Sequence, residues 1–322
     1  METAVLGRDG PRISRIGLGL AAIGRPAYIT TGRGADLGSD RSEATFRERT
    51  AHLLDAAYAA GVRYVDVARS YGSAEAFLGG WIAKRGPLDD LVVGSKWGYT
   101  YVGAWNLDAP VQEIKDLSLA AFERQYGETR ALLGDHLRLY QVHSLTIESG
   151  ALDDAPLLAA LARHRAQGLR IGLTTTGAHQ AETIRRALDL RVDGVPLFSS
   201  VQATWNLLEP SAGPALEEAS AAGWAVIVKE ALANGRLTGV GDAGGADSPL
   251  GRASVAHGVE PDALAIAAAL AQAWVSVVLS GAATVDQLIS NMRALDIRAD
   301  GLPDLAMPAD EYWAARSARP WT

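Results

Sequence analysis

Asp66, Tyr71, Lys96 and His143 offer a carboxylate, a phenol, an ammonium and an imidazole, four groups that together can move protons. Asp66 and Tyr71 share the run Val65-Asp66-Val67-Ala68-Arg69-Ser70-Tyr71-Gly72. Lys96 closes Leu91-Val92-Val93-Gly94-Ser95-Lys96, and His143 closes Leu137-Arg138-Leu139-Tyr140-Gln141-Val142-His143. Each therefore stands at or just past the end of a short apolar run. Buried charges must be paired or they cost several kcal/mol each, so an ordinary core has no use for this set. Singly, each residue has a plainer role. Asp66 and Lys96 suit a structural ion pair, Tyr71 a rim aromatic, and His143 a hydrogen-bonded strand-end histidine. Jointly, at successive strand ends, they make a proton-transfer site.

The elements that must hold them follow from periodicity. Short apolar runs at Ile16–Leu20, Val62–Asp66, Leu91–Ser95, Leu137–Val142, Leu169–Thr174, Phe198–Gln202, Ala225–Val228 and Val275–Leu279 read as eight strands. Between and after them, Glu43–Ala60, Ala74–Lys84, Gln112–Leu133, Pro156–Ala166, Ala178–Leu188, Pro214–Ala222, Pro261–Trp274 and Val285–Leu295 carry apolar residues at three- and four-residue spacing and read as helices. Thr3–Leu6 and Pro11–Ser14 flank a Gly- and Asp-rich turn and read as a hairpin. Eight strand-then-helix units predict an α/β fold, a (β/α)8 TIM barrel with an N-terminal β-hairpin, in a single domain over residues 1–322. A doubly wound open sheet is the alternative, but Gly17-Leu18-Gly19-Leu20 lacks its Gly-rich turn. Long loops at Ala21–Ser42 and Leu237–Glu260 are expected over the C-terminal mouth, where barrel sites lie.

Composition narrows the class. The 322-residue chain has a net charge of -7, which argues against nucleic acid or an anionic membrane as partner. It has no cysteine, hence no disulfide, thiolate nucleophile or Cys-ligated metal, and His and carboxylates show no metal-ligand spacing. No segment reads as a signal peptide or membrane span, so a cytoplasmic protein is expected.

These runs resemble the aldo-keto reductase family. The likeness covers nearly the whole chain: Gly61–Ala68, Ser70–Glu75, Gly79, Ser95-Lys96, Tyr140–His143, Gly168–Leu173, Gln202–Asn206 and Gly281–Asn291. It implies a (β/α)8 barrel and hydride transfer between a nicotinamide cofactor and a carbonyl or alcohol, with no metal. Tyr71 would then be the general acid/base. A free phenol titrates near pH 10, and Lys96 is expected to lower that value while Asp66 holds Lys96. His143 would orient the substrate oxygen.

The resemblance further implies that the adenosine end of the cofactor lies on Gly281, Ala282, Thr284, Gln287 and Asn291, at a helix N-terminus suited to an anion. Thr174 and Gln202 would hold the nicotinamide, and Leu232 and Asn234 the pyrophosphate. Family habit favours NADP(H). The absence of Lys or Arg from Ser280 to Met292 leaves NAD(H) open. Two further departures stand out: Thr174-Thr175 where the family often has Ser-Asn, and Lys229 where it often has an aromatic ring that stacks on the nicotinamide. Trp97, Tyr99, Trp105 and Trp205 are expected to form the wall for a small-molecule substrate. Two alternatives are an NAD-dependent sugar 1-dehydrogenase and, from another class, a cofactor-binding regulatory subunit with slow turnover. Substrate and oligomeric state are not legible.

Overall fold

The computed structural model describes residues 2–29 and 33–321. Its centre is a closed barrel of eight parallel strands. In chain order they are Ile16–Gly19, Tyr64–Asp66, Val92–Trp97, Leu137–Leu145, Arg170–Thr175, Ser200–Thr204, Ala225–Lys229 and Val277–Ser280. Closure comes from pairing of the eighth strand with the first, Val278 opposite Ile16. All eight expected strands are present, and helices connect them around the outside. The fold is the (β/α)8 barrel that the sequence pattern predicts.

Period-two alternation decides what each strand residue faces. Tyr64, Val92, Leu139, Ala225, Ile227 and Val277 point inward and pack on Leu6 and Ile13 of the N-terminal hairpin, which plugs the lower end. That hairpin pairs Thr3–Val5 with Arg12–Ser14, as expected. Two glycines make room for the Tyr64 ring. A Cβ at Gly94 would lie 2.2 Å from the Tyr64 hydroxyl, and one at Gly17 would lie 2.8 Å from its ring. Further along the strands, the same alternation turns Asp66, Lys96, His143, Gln202 and Lys229 toward the mouth.

Several expected boundaries move. The helix expected over Gln112–Leu133 begins only at Leu119, where the Ser118 hydroxyl accepts from the Ala121 amide at 3.2 Å. Its first residues are instead a strand, Glu113–Lys115, paired antiparallel with Tyr99–Tyr101. The helix expected to reach Trp274 stops at Leu270, and that expected to reach Leu295 gives way to a 3-10 turn after Met292. The long glycine-rich loop contains the helix Pro249–His257, capped by Ser248. The loop after the first strand contains Arg33–Leu37. A last helix, Ala309–Ser317, has no counterpart in the sequence reading. It seats Tyr312 and Trp313 on Leu208 and Leu237 and brings Arg316 to the barrel mouth.

Candidate active site

The four proton-moving groups converge. The Lys96 ammonium is fully buried, donates to Asp66 Oδ1, and donates to the Val67 carbonyl at 2.9 Å. Gln202 Nε2 donates to the other Asp66 oxygen at 2.8 Å. Asp66 is thus bonded from two sides, as a buried carboxylate must be. Lys96 Nζ lies 4.7 Å from the centre of the Tyr71 ring, and the Tyr71 and His143 rings meet edge to face at 5.6 Å. Tyr99 flanks His143 from the other side at 5.0 Å.

Burial and the negative Asp66 push the Tyr71 phenol well above its ordinary value, against the smaller opposing pull of Arg25. The expected lowering of this pKa by Lys96 is not seen, because burial and Asp66 act in the opposite direction. Tyr71 is therefore a protonated phenol across the neutral range. His143 is shifted in the opposite sense, well below its usual range, by burial and then by the Lys96 charge. It is a neutral imidazole, and its Nδ1 has no hydrogen-bond partner.

Tyr71 and His143 open into a cleft of about 780 Å³ that runs across the barrel mouth to the last barrel helix. That size is usual for a cofactor or substrate site. Among the residues expected to hold a cofactor, Gln202, Leu232, Asn234, Gly281, Ala282, Gln287 and Asn291 line it. Thr174 and Thr284 do not. The Thr174 hydroxyl accepts from the Ser144 amide at 2.7 Å, and Thr284 caps the helix Val285–Met292. Asn291 is tied to Ser280 at 2.7 Å and to Asp262 at 2.6 Å, and Gln287 accepts from the Ala283 amide at 2.9 Å.

The expected substrate wall is largely replaced. Tyr99 lines the cleft, but Trp97, Trp105 and Trp205 do not. Lys96 faces inward, so its neighbour Trp97 must face outward, where it meets Phe122 at 5.1 Å. Trp205 likewise faces outward, against Trp274 at 5.8 Å. Trp105 packs on Phe46 and donates to the Arg41 carbonyl. Tyr28, Glu113, Arg316 and Trp321 take their place in the lining. Arg25 lies behind them, paired with Glu113 and 5.4 Å from the centre of the Tyr71 ring. Arg25 and Tyr28 stand in the loop already expected over the mouth. Glu113 was hidden by the helical reading of its segment, and Arg316 and Trp321 carry no local signal.

The loop after the seventh strand is unusual. Glu230, Ala233 and Asn234 all have positive φ, of 55°, 48° and 56°. Such backbone persists only where surrounding contacts fix it. Glu230 is held by Arg316 Nε at 3.0 Å and by the Thr204 hydroxyl at 2.9 Å. Although burial alone would raise its pKa, Lys229 and Arg316 bring it down to about 2. Asn234 Oδ1 is buried, lines the cleft and has no partner within the protein. An orphaned acceptor here, with the open Gly281 and a helix N-terminus at the far end, is the donor-and-acceptor set that a dinucleotide would satisfy.

The model of the Aldo/keto reductase family matches residues 15–301. The chain belongs to the aldo-keto reductases. It is 27% identical to protein Tas of Escherichia coli over 300 residues, covering 78% of this chain and 86% of that protein. It is 31% identical to the oxidoreductase YrpG of Bacillus subtilis over 153 residues, 45% of this chain and 40% of that protein. The holo form of aldo-keto reductase AKR11C1 from Bacillus halodurans has the same fold, with a TM-score of 0.67 at 19% identity, over 98% of this chain and 96% of that one. As an aldo-keto reductase the protein is an NAD(P)-dependent oxidoreductase. Among the described residues, no helix is long and apolar enough to cross a membrane.

Proposed function

We propose that the protein reduces an aldehyde or ketone, or oxidises the corresponding alcohol, with Tyr71 as the proton donor and acceptor. The observation that carries this reading is the placing of the Tyr71 phenol in the cleft wall, edge to face with His143 at 5.6 Å and with Lys96 Nζ of the Lys96–Asp66 pair 4.7 Å from its ring centre. When bound, the nicotinamide supplies or takes a hydride. The Tyr71 hydroxyl gives its proton to the carbonyl oxygen as charge develops there. His143 helps orient that oxygen. Lys96 stabilises the phenolate left behind, and Asp66 with Gln202 fixes Lys96. The chain works as one domain, because Arg316, close to its C-terminus, completes the cleft of a barrel that begins at Ile16.

Leu232, Asn234, Gly281, Ala282, Gln287 and Asn291 would hold the cofactor, with Thr284 setting the helix N-terminus. The far end of the cleft is lined by Glu260, Asp262 and Asp286. Carboxylates accept from a ribose hydroxyl and repel a 2′-phosphate, so NAD(H) serves at least as well as NADP(H). The test is oxidation of NADH and of NADPH by the purified protein against a panel of aldehydes and ketones. Turnover with either cofactor supports the reading. Cofactor binding without turnover of any carbonyl or alcohol would favour a regulatory subunit.

A further inference from the structure

His143 is aimed by an irregularity in its own strand. Val142 stands opposite Leu173 of the fifth barrel strand and Leu145 opposite Thr175, so the fourth strand carries one residue more than its neighbour over this stretch. An extra residue in one strand is a β-bulge, and a bulge re-aims the side chains it contains. Here the bulge is His143-Ser144. Ser144 has a φ of 49°, which a residue with a Cβ holds only where its surroundings fix it. Side chains pin both of its backbone groups. The Ser144 amide donates to the Thr174 hydroxyl at 2.7 Å, and the Ser144 carbonyl accepts from Lys115 Nζ at 2.8 Å.

The imidazole depends on this frame. Its Nδ1 has no hydrogen-bond partner, and its ring lies between Tyr71 at 5.6 Å and Tyr99 at 5.0 Å. The bulge sets where the imidazole starts, and Tyr99 limits how far it turns. Lys115 touches both. It stands opposite Tyr99 in the antiparallel ribbon, and its Nζ lies 5.7 Å from the centre of the Tyr99 ring. Alternation places Tyr99, Tyr101, Glu113 and Lys115 on one face of that ribbon and leaves Ile114 exposed on the other. Lys115 does not line the cleft, so it reaches a bound molecule only through these neighbours.

We propose that Lys115 is a positioning residue, which locks the Ser144 bulge and the Tyr99 ring so that His143 faces the substrate oxygen beside Tyr71. This rests on the carbonyl-reductase reading above. The ribbon is thereby part of the catalytic apparatus as well as a wall of the cleft. The Lys115 charge also acts on His143, after burial and the charges of Lys96, Lys229 and Arg25. Lys115→Arg keeps that charge and can still donate to the Ser144 carbonyl, whereas Lys115→Met keeps the stem and loses both.

The first readout needs no turnover. The His143 ring protons, shifted by the two tyrosine rings beside them, are followed by NMR in histidine-labelled protein, and His143→Ala identifies their signal among the six histidines. That signal should move in Lys115→Met and return most of the way in Lys115→Arg. The second readout is reduction of 4-nitrobenzaldehyde at about pH 8, where imidazoles are uncharged. Lys115→Met should lower kcat/KM by about fivefold, chiefly through KM, as loss of one hydrogen bond to a charged group allows. Cofactor Kd and melting temperature should hold, and Lys115→Arg should recover most of the loss. In a His143→Ala background the same substitution should cost nothing more, because the two residues act as one unit. An unmoved His143 signal in Lys115→Met overturns the proposal. So does an equal kinetic loss in the His143→Ala background, or a lowered melting temperature with an intact KM. A His143 signal that moves as expected, with no carbonyl turnover by any of the proteins, would keep the positioning role and reject the carbonyl-reductase reading.

Discussion

Lys96 and Asp66 are each other's reason for being charged inside the barrel. Lys96→Met leaves the Asp66 carboxylate buried with Gln202 as its remaining strong donor. Loss of one partner of a buried pair costs roughly 3–5 kcal/mol, so unfolding in denaturant should show a drop of that size together with loss of turnover. A variant that lost activity yet unfolded at the wild-type midpoint would mean that the pair contributes nothing to the fold. Tyr71 gives a second prediction. Its phenol is held well above the ordinary range by burial and by Asp66, and His143 is already neutral. The acid form needed for carbonyl reduction therefore persists, and kcat at saturating substrate should stay flat from about pH 6 to about pH 9. A fall in kcat with an apparent pKa near neutrality would show that another group supplies the proton.

Strand alternation explains both what could be read from the chain and what could not. Asp66, Lys96 and His143 were legible because each closes an apolar run whose length marks a strand. Trp97 was misplaced because its nearness in sequence to Lys96 conceals that adjacent strand residues face opposite sides. Trp97→Ala should accordingly destabilise the protein by about 3–5 kcal/mol, the cost of an emptied aromatic site, while KM for small substrates stays near wild type. A large KM effect with unchanged stability would return Trp97 to the substrate wall. The ribbon containing Glu113 was hidden because Val111–Leu117 contains apolar residues that also suit a helix, and only the Ser118 cap marks the true start. The C-terminal helix was illegible for a different reason. Arg316 meets Glu230 across 86 residues, and no local pattern reports such a contact. That pair fixes a positive-φ turn and makes stability depend on acid. The Glu230 carboxyl lies at about 2 against an ordinary 4.5, so its contribution is present above about pH 4.5 and is lost as pH falls toward 2. Glu230→Gln should flatten that part of the acid-unfolding curve, and an unaltered acid limb would sever the carboxylate from stability.

Across the whole molecule, charge is unevenly matched along the cleft. At its catalytic end Lys96–Asp66, Arg25–Glu113 and Arg316–Glu230 are ion pairs, whereas its far end, by the last barrel helix, presents Glu260, Asp262 and Asp286. A cation added at the far end should therefore alter cofactor choice. Ala283→Arg, beside the N-terminus of Val285–Met292, should tighten NADPH by about tenfold or more and leave NADH nearly unchanged, as titration of cofactor fluorescence would reveal. An equal change for both cofactors would place the 2′ position elsewhere. If Tyr71 moves the proton in a nicotinamide-dependent carbonyl reduction, Tyr71→Phe takes away the group that does so, since it removes one oxygen and leaves the ring. Turnover of the best carbonyl substrate and the Kd for the cofactor should be measured side by side in wild type and variant. The kcat of Tyr71→Phe should fall by about 10²-fold or more with the cofactor Kd and melting temperature preserved; turnover at the wild-type rate would mean that another group moves the proton.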